Sequence, residues 1–191
     1  MEQPMTTLTR RGLLATGPVG VLGALAACSS PLAKSAGEID GEVRASREQL
    51  YASVPGAARL GAQAAGLLII PEIIKGGLFV SGAYGEGALM IGDAVTDYIS
   101  MSSAGFGLQI GAQRYSQALF FMTPEVLRDF RVTDGWELGV NAEFATPDEG
   151  SALGTSTTTI NEPVYAVIYG QRGLIVGASL AGSKYSRLIR G

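Results

Sequence analysis

Cys28 is the only cysteine in this chain of 191 residues, and the chain has no histidine. Those two facts bound its chemistry closely. Without imidazole there is no Ser–His–Asp triad, no Cys–His pair and no histidine metal ligand, and the commonest general base is missing. No other nucleophile–base pair is visible, so no catalytic residue is assigned and an enzyme is not expected. A metal would need an all-oxygen site. Asp93, Asp97 and Asp134 stand near expected turns but lack the spacing of a calcium loop, so no metal or other cofactor is expected. What remains is the lone thiol itself, the side chain able to form a stable thioether with a diacylglycerol. The preceding Leu25-Ala26-Ala27 is small enough for an extended backbone to enter a peptidase cleft.

Upstream of Cys28 lie the paired Arg10 and Arg11 and an uncharged stretch of glycine, alanine and leucine. Arginine pair, weakly apolar core and terminal cysteine together resemble a bacterial lipoprotein signal of the twin-arginine export type. The resemblance implies that residues 1–27 are a removed signal peptide, that 28–40 form an acylated tether and that 41–191 form the folded domain. Acyl chains contribute about 0.8 kcal/mol per buried methylene, so stable anchoring takes more than one chain. The uncharged run from Gly12 to Ala33 is just long enough to span a bilayer. Its glycines and Pro18 make it a poor hydrophobic helix. Ser29 follows the cysteine rather than an aspartate; the expected location is the cell envelope, on the periplasmic face of an outer membrane.

Removal of 27 residues would leave 164, enough for one domain with a sizeable core. That remainder holds 12 basic and 16 acidic side chains, a net charge of −4 before the terminus is counted. Such a balance argues against nucleic acid as a partner and against non-specific attraction to anionic lipid.

The tether reads as small and polar to about Asp40. A weak helical pattern covers Gly41 to Val54, with Val43, Leu50, Tyr51 and Val54 towards one side, and Pro55 is placed to start a second short helix to Ala64. Strand signals then dominate: Gly66 to Pro71, Leu78 to Tyr84, Ala88 to Ile91, Val95 to Met101, the alternating Phe106 to Gln113, Ala118 to Met122, Trp136 to Phe144, Thr155 to Ile160, Val164 to Tyr169 and Leu174 to Leu180. Gly76-Gly77, Gly92-Asp93 and Gly170 to Gly173 are expected turns or bulges, and Thr146 to Gly154 a loop. Thr123-Pro124-Glu125 predicts one inserted helix to about Phe130, opened by a hydroxyl cap and proline. The predicted fold class is α+β and strand-rich: a mostly antiparallel barrel-like or sandwich sheet with N-terminal helices and one inserted helix.

The run Gly66-Leu67-Leu68-Ile69-Ile70-Pro71, then Ile74-Lys75-Gly76-Gly77 and Tyr84-Gly85-Glu86-Gly87-Ala88-Leu89, resembles the opening of the SYLF domain. The order continues through Phe106 to Gln113, Ala118 to Met122, Asp134 to Gly139, Gly173-Leu174 and Gly182-Ser183-Lys184. Coverage runs from about Ala45 to Leu188. The resemblance implies lipid binding. Eukaryotic members bind phosphoinositides and some bundle actin, through contacts that include a basic amphipathic N-terminal helix. Here that stretch mixes Arg44, Arg47 and Arg59 with Glu42 and Glu48, so neither phosphoinositide nor actin recognition is carried over. The expected function is a membrane-anchored lipid-binding lipoprotein of the envelope. The alternative is an envelope scaffold for a protein partner, touching lipid only through Cys28.

Lys75 and Lys184 lie in the family motifs and are candidate lipid-phosphate contacts, with Arg187 beside them; each could equally pair an acid such as Glu72 or Glu86. Arg187 and Arg190 also fit solvated charges near the C-terminus. Gly85-Glu86-Gly87 fits either a phosphate cradle or strands whose backbones approach closely. Trp136 fits a core edge or a membrane interface, and Phe120-Phe121-Met122 a packed core or an acyl pocket.

Overall fold

The computed structural model describes residues 34–77, 80–106, 113–141, 144–145, 162–172 and 182–190, all within the compact unit Lys34–Gly191. Arg10, Arg11, Cys28 and the expected strands inside 107–112, 155–160 and 174–180 lie outside those residues, as does the expected loop 146–154.

Helix α1 (Ala36–Ser53) starts five residues before the expected Gly41, inside the expected tether. The cause is local. Ser35 accepts from the Glu38 backbone amide while the Glu38 carboxylate accepts from that of Ser35, a reciprocal cap satisfying two orphan N–H groups. Helix α2 (Ala57–Gln63) begins two residues later than expected. Pro55 does not start it, because Gly56 takes a left-handed φ of 86° and redirects the chain.

Strands β1 (Gly66–Gly77), β2 (Val80–Ile91), β3 (Ala94–Phe106) and β4 (Gln113–Phe121) follow as an antiparallel series. Pro71 does not end β1. The register shifts there against both neighbours, and the bulge absorbs the missing N–H donor. The two segments expected at 78–84 and 88–91 form one strand, β2, continuous through Gly85-Glu86-Gly87. A Cβ at Gly85 would lie 2.6 Å from the Glu72 carbonyl oxygen, and one at Gly87 would strike the Ile69 carbonyl. These glycines therefore let β1 approach at its bulge, which is the packing reading rather than the phosphate cradle. Helix α3 (Pro124–Val132) has the expected start: the Thr123 hydroxyl accepts from the Val126 amide at 3.3 Å.

Beyond α3 the strands shorten. Among the described residues of the expected strand 136–144, β5 (Trp136–Glu137) and the start of β6 (Phe144–Ala145) are strand. Between them Gly139, at φ 82°, turns the chain, and Asn141 caps the turn by accepting from the Glu137 amide. Strand β7 (Val164–Arg172) extends through the expected turn at Gly170, and β8 (Lys184–Leu188) completes the series. Among the described residues one sheet results, ordered β5-β8-β3-β2-β1-β4-β7-β6, in which β6–β7 is the parallel pair. It is a curled half-barrel rather than a sandwich, and the fold is α+β and strand-rich.

Both faces of the sheet centre are buried. Leu67, Ile69, Ala118, Phe120 and Val167 pack under α1 and α2 with Ile39, Val43, Leu50 and Leu60. Leu68, Ile70, Leu119 and Phe121 face the other way, with Leu127 and Phe130 of α3 and with Trp136 and Tyr185. Burial on two faces explains why β1 and β4 read as continuous apolar runs while β3 does not.

Candidate functional site

Helix α3 sets its rotation through its core face. Phe130 lies 4.6 Å from Phe121 and 5.2 Å from Trp136, the latter edge-on at 77°. The Trp136 indole N–H donates to Asp129 at 3.1 Å, so the tryptophan is a core residue with its polar edge satisfied. With Leu127 and Phe130 turned inward, Arg128, Arg131 and Val132 are carried to the exposed side. Asp97 on β3 and Arg187 on β8 meet them there. The Arg131 Nε donates to the Asp97 carboxylate at 2.8 Å, and the Arg187 Nε lies 3.4 Å from its other oxygen. An Arg187 Nη2 N–H donates to the Arg131 carbonyl oxygen.

These groups border an open notch of about 510 Å³. Leu127 and Val132 supply apolar surface, Arg128, Arg131 and Arg187 supply cations, and Asp134 stands at the rim. Arg128 makes no ion pair among the described residues. Three cations against Asp97 and Asp134 leave one positive charge, on a chain whose overall charge is negative. Two guanidinium groups sharing one carboxylate keep N–H donors directed outward, where they can hold an anion.

A second groove, of about 420 Å³, runs between α1 and the sheet beside Glu42, Ser46, Gln49, Glu72 and Arg114. Its polar groups are largely engaged with one another. Ser46 bonds the Tyr169 hydroxyl at 2.7 Å, Ser116 donates to the Pro71 carbonyl at 2.7 Å, Arg114 pairs Glu72 at 2.8 Å, and Glu42 pairs Lys34 at 2.5 Å. Burial pushes the Tyr169 hydroxyl up to about 12, partly opposed by the Ser46 bond. Tyr84 also rises to about 12 through burial and its bond to Glu86, and burial raises Tyr185 further.

The lysines and arginines singled out from sequence are not gathered into one site. Arg187 lies at the notch. Lys184 is exposed at the start of the same strand, with its stem over Gly135. Lys75 is on β1, in register with Ala83 and Gln113, and β2 and β3 separate it from β8, roughly 14 Å across the sheet. Neither lysine pairs Glu72 or Glu86. Glu72 holds Arg114, and Glu86 holds Arg190 at 2.8 Å, with both side chains of that second pair largely buried. Arg190 is therefore a structural ion-pair partner and not a solvated tail charge. The residues that sequence reading missed are Arg128 and Arg131, and Asp97, weighed there only as a calcium ligand, is the ion-pair partner of Arg131. Helical phase on α3 could have flagged the two arginines; their meeting with β3 and β8 could not be read locally. Among the described residues no three acidic, cysteine or histidine side chains cluster as a metal site, and no helix is long and apolar enough to cross a membrane.

A search of curated proteins finds no significant match. Residues 102–188 match the family model Ysc84, described as Las17-binding protein actin regulator. The matched stretch runs from within β3 to the end of β8 and includes the α3 helix, Arg128, Arg131 and Arg187. It overlaps the SYLF motifs from Phe106 to Lys184 in order and position, so this part of the chain matches the SYLF (Ysc84) domain.

Proposed function

We propose that this protein is a non-enzymatic lipid-binding module, held to a membrane of the bacterial cell envelope by acyl chains on Cys28. The observation that carries the reading is the SYLF domain on a chain whose N-terminal segment holds Arg10-Arg11 and the lipobox cysteine. The acyl chains supply residence at the membrane. The folded domain then meets phospholipid at high effective concentration, so modest affinity suffices. With a net charge of −4 on the mature chain, contact rests on local cations beside apolar surface rather than on long-range attraction. Lys184 and Arg187 on β8 are candidate contacts, and Lys75 is a separate one. Ser29 after the cysteine supports the periplasmic face of an outer membrane.

Cys28→Ser tests the anchor. Expressed in a bacterium that processes lipoproteins, the variant is expected to lose membrane association in fractionation while its thermal unfolding midpoint is unchanged. Persistent integral membrane association of a signal-cleaved Cys28→Ser protein would sink the acyl-anchor claim.

A second reading follows from the family description, which names protein partners. On it, the domain is an envelope scaffold for another protein and touches lipid only through Cys28. An export signal would carry it away from cytoplasmic actin, so actin itself is not proposed.

A further inference from the structure

We infer that the notch between α3 and β8 is the headgroup seat for one anionic phospholipid, with Asp97 as its positioning residue. The inference rests on the lipid-binding reading above and deepens it by naming the surface and the ligand class. Three observations point there. First, Arg131 and Arg187 are tied to a single, largely buried carboxylate, Asp97, by contacts of 2.8 and 3.4 Å. Their remaining N–H groups are thus set in place before a ligand arrives, and little side-chain entropy is lost on binding. Second, Arg128 stands on the same exposed side of α3 with no ion pair among the described residues, and the notch keeps one positive charge after Asp97 and Asp134 are counted. Third, Val132 is 74% exposed beside these cations, and with the largely buried Leu127 it lines the notch. A phosphate placed between Arg128 and the Arg131–Arg187 pair would bring the adjoining glycerol and first methylenes against that apolar surface. A free phosphate would use only the cations. The combination commits the seat to a lipid headgroup.

The other surfaces lack this pairing. At the α1 groove Glu42 and Glu72 are each held by one cation, Lys34 and Arg114, so neither cation is left for a phosphate. Lys75 and Lys184 each stand away from a second unspent cation.

The test uses the full chain carrying Cys28→Ser, so that no acyl chain contributes, with phosphatidylcholine vesicles that either include or lack phosphatidylglycerol. Trp136, the only tryptophan, packs on Phe130 and Tyr185 beneath Arg131 and Arg187 and reports occupancy by fluorescence. Binding is expected only with phosphatidylglycerol. Arg128→Glu, at an exposed position whose loss leaves the fold intact, is expected to lower affinity at least about tenfold, since one basic residue near a charged surface is worth about 1 kcal/mol and reversal counts twice. Arg44→Glu, the same charge change on exposed α1, is expected to lower it less than about twofold. Asp97→Ala adds positive charge yet is expected to weaken binding, because it frees the arginine pair; the intact pair and the unfolding midpoint are checked alongside. Equal losses from Arg128→Glu and Arg44→Glu, or stronger binding by Asp97→Ala, would overturn the seat while leaving the lipid module standing. Saturable tryptophan quenching by inorganic phosphate that competes with vesicles would overturn the lipid assignment of the notch. No binding to any vesicle by the parent chain would defeat the lipid-module reading itself.

Discussion

On the α1 face of the sheet the ion pairs are one to one: Lys34 holds Glu42, Arg47 holds Asp93 at 2.9 Å, and Tyr98 donates to Asp40 at 3.0 Å. At the α3 end Arg131 and Arg187 share Asp97, and Arg128 has no acid of its own among the described residues. One-to-one pairing consumes the binding capacity of a surface. Shared pairing organises cations without neutralising them. The family resemblance points first to the N-terminal helix for lipid contact. In this chain that helix is packed on its own sheet, and the cations that share one acid lie on the opposite side, at the notch.

The largest expected effect comes from removing the core beneath the notch. Phe130→Ala leaves a void among Phe121, Trp136 and Tyr185 and should cost roughly 3–5 kcal/mol, as truncation of a buried aromatic does. Urea unfolding measures it, and a loss below about 1 kcal/mol would mean α3 is not packed as described. The cleanest change on the other face is Tyr169→Phe. It leaves the buried Ser46 hydroxyl without its 2.7 Å partner and should cost about 1–3 kcal/mol, with vesicle binding unchanged. Altered lipid affinity in Tyr169→Phe would break the division between the faces.

The same tyrosine sharpens the comparison through pH. Its ionisation is raised in the folded state to about 12 from an ordinary 10, so folded protein holds the proton that unfolded protein releases. The stability it contributes is complete below pH 10 and is lost as pH rises towards 12, by at most about 1.4 kcal/mol per pH unit. The urea midpoint should fall above pH 10, and less steeply in Tyr169→Phe. Equal slopes would show that Tyr185 and Tyr84 carry the alkaline response instead. The smallest effect is Ser35→Ala, which removes the α1 cap and should cost about 1 kcal/mol. Protease cleavage near Lys34 should speed up without any change at the notch.

Much of this architecture is legible without coordinates. The Thr123-Pro124 start of α3, the Gly92 turn and the apolar runs of β1 and β4 follow from local rules, because capping, positive φ and two-sided burial each leave a mark within a few residues. The errors have local appearances and non-local causes. Pro71 looks like a strand end because proline lacks a donor; the neighbouring strands shift register to take it in as a bulge, with Ser116 of β4 bonding its carbonyl. Gly85 and Gly87 fit a phosphate cradle or a close backbone approach by sequence, and the second holds: they are the space into which that bulge presses.

By its own residue types the sequence determined that histidine chemistry is absent, that one thiol sits behind a signal-like segment, and that a strand-rich SYLF domain follows. These depend on composition, order and short-range pattern, which the chain carries wherever it folds. Tertiary structure alone decided which cations are spent. Asp97, Arg131 and Arg187 are separated by 34 and 56 residues, and Glu86 and Arg190 by most of the domain. Nothing in local sequence says that Arg190 is consumed by a largely buried carboxylate while Arg187, three residues earlier, faces a notch. Arg187 lies on β8 and Arg190 just beyond its end, and the curl of the sheet gives them different partners, because charge pairing depends on distance in space and the chain sets only distance along itself.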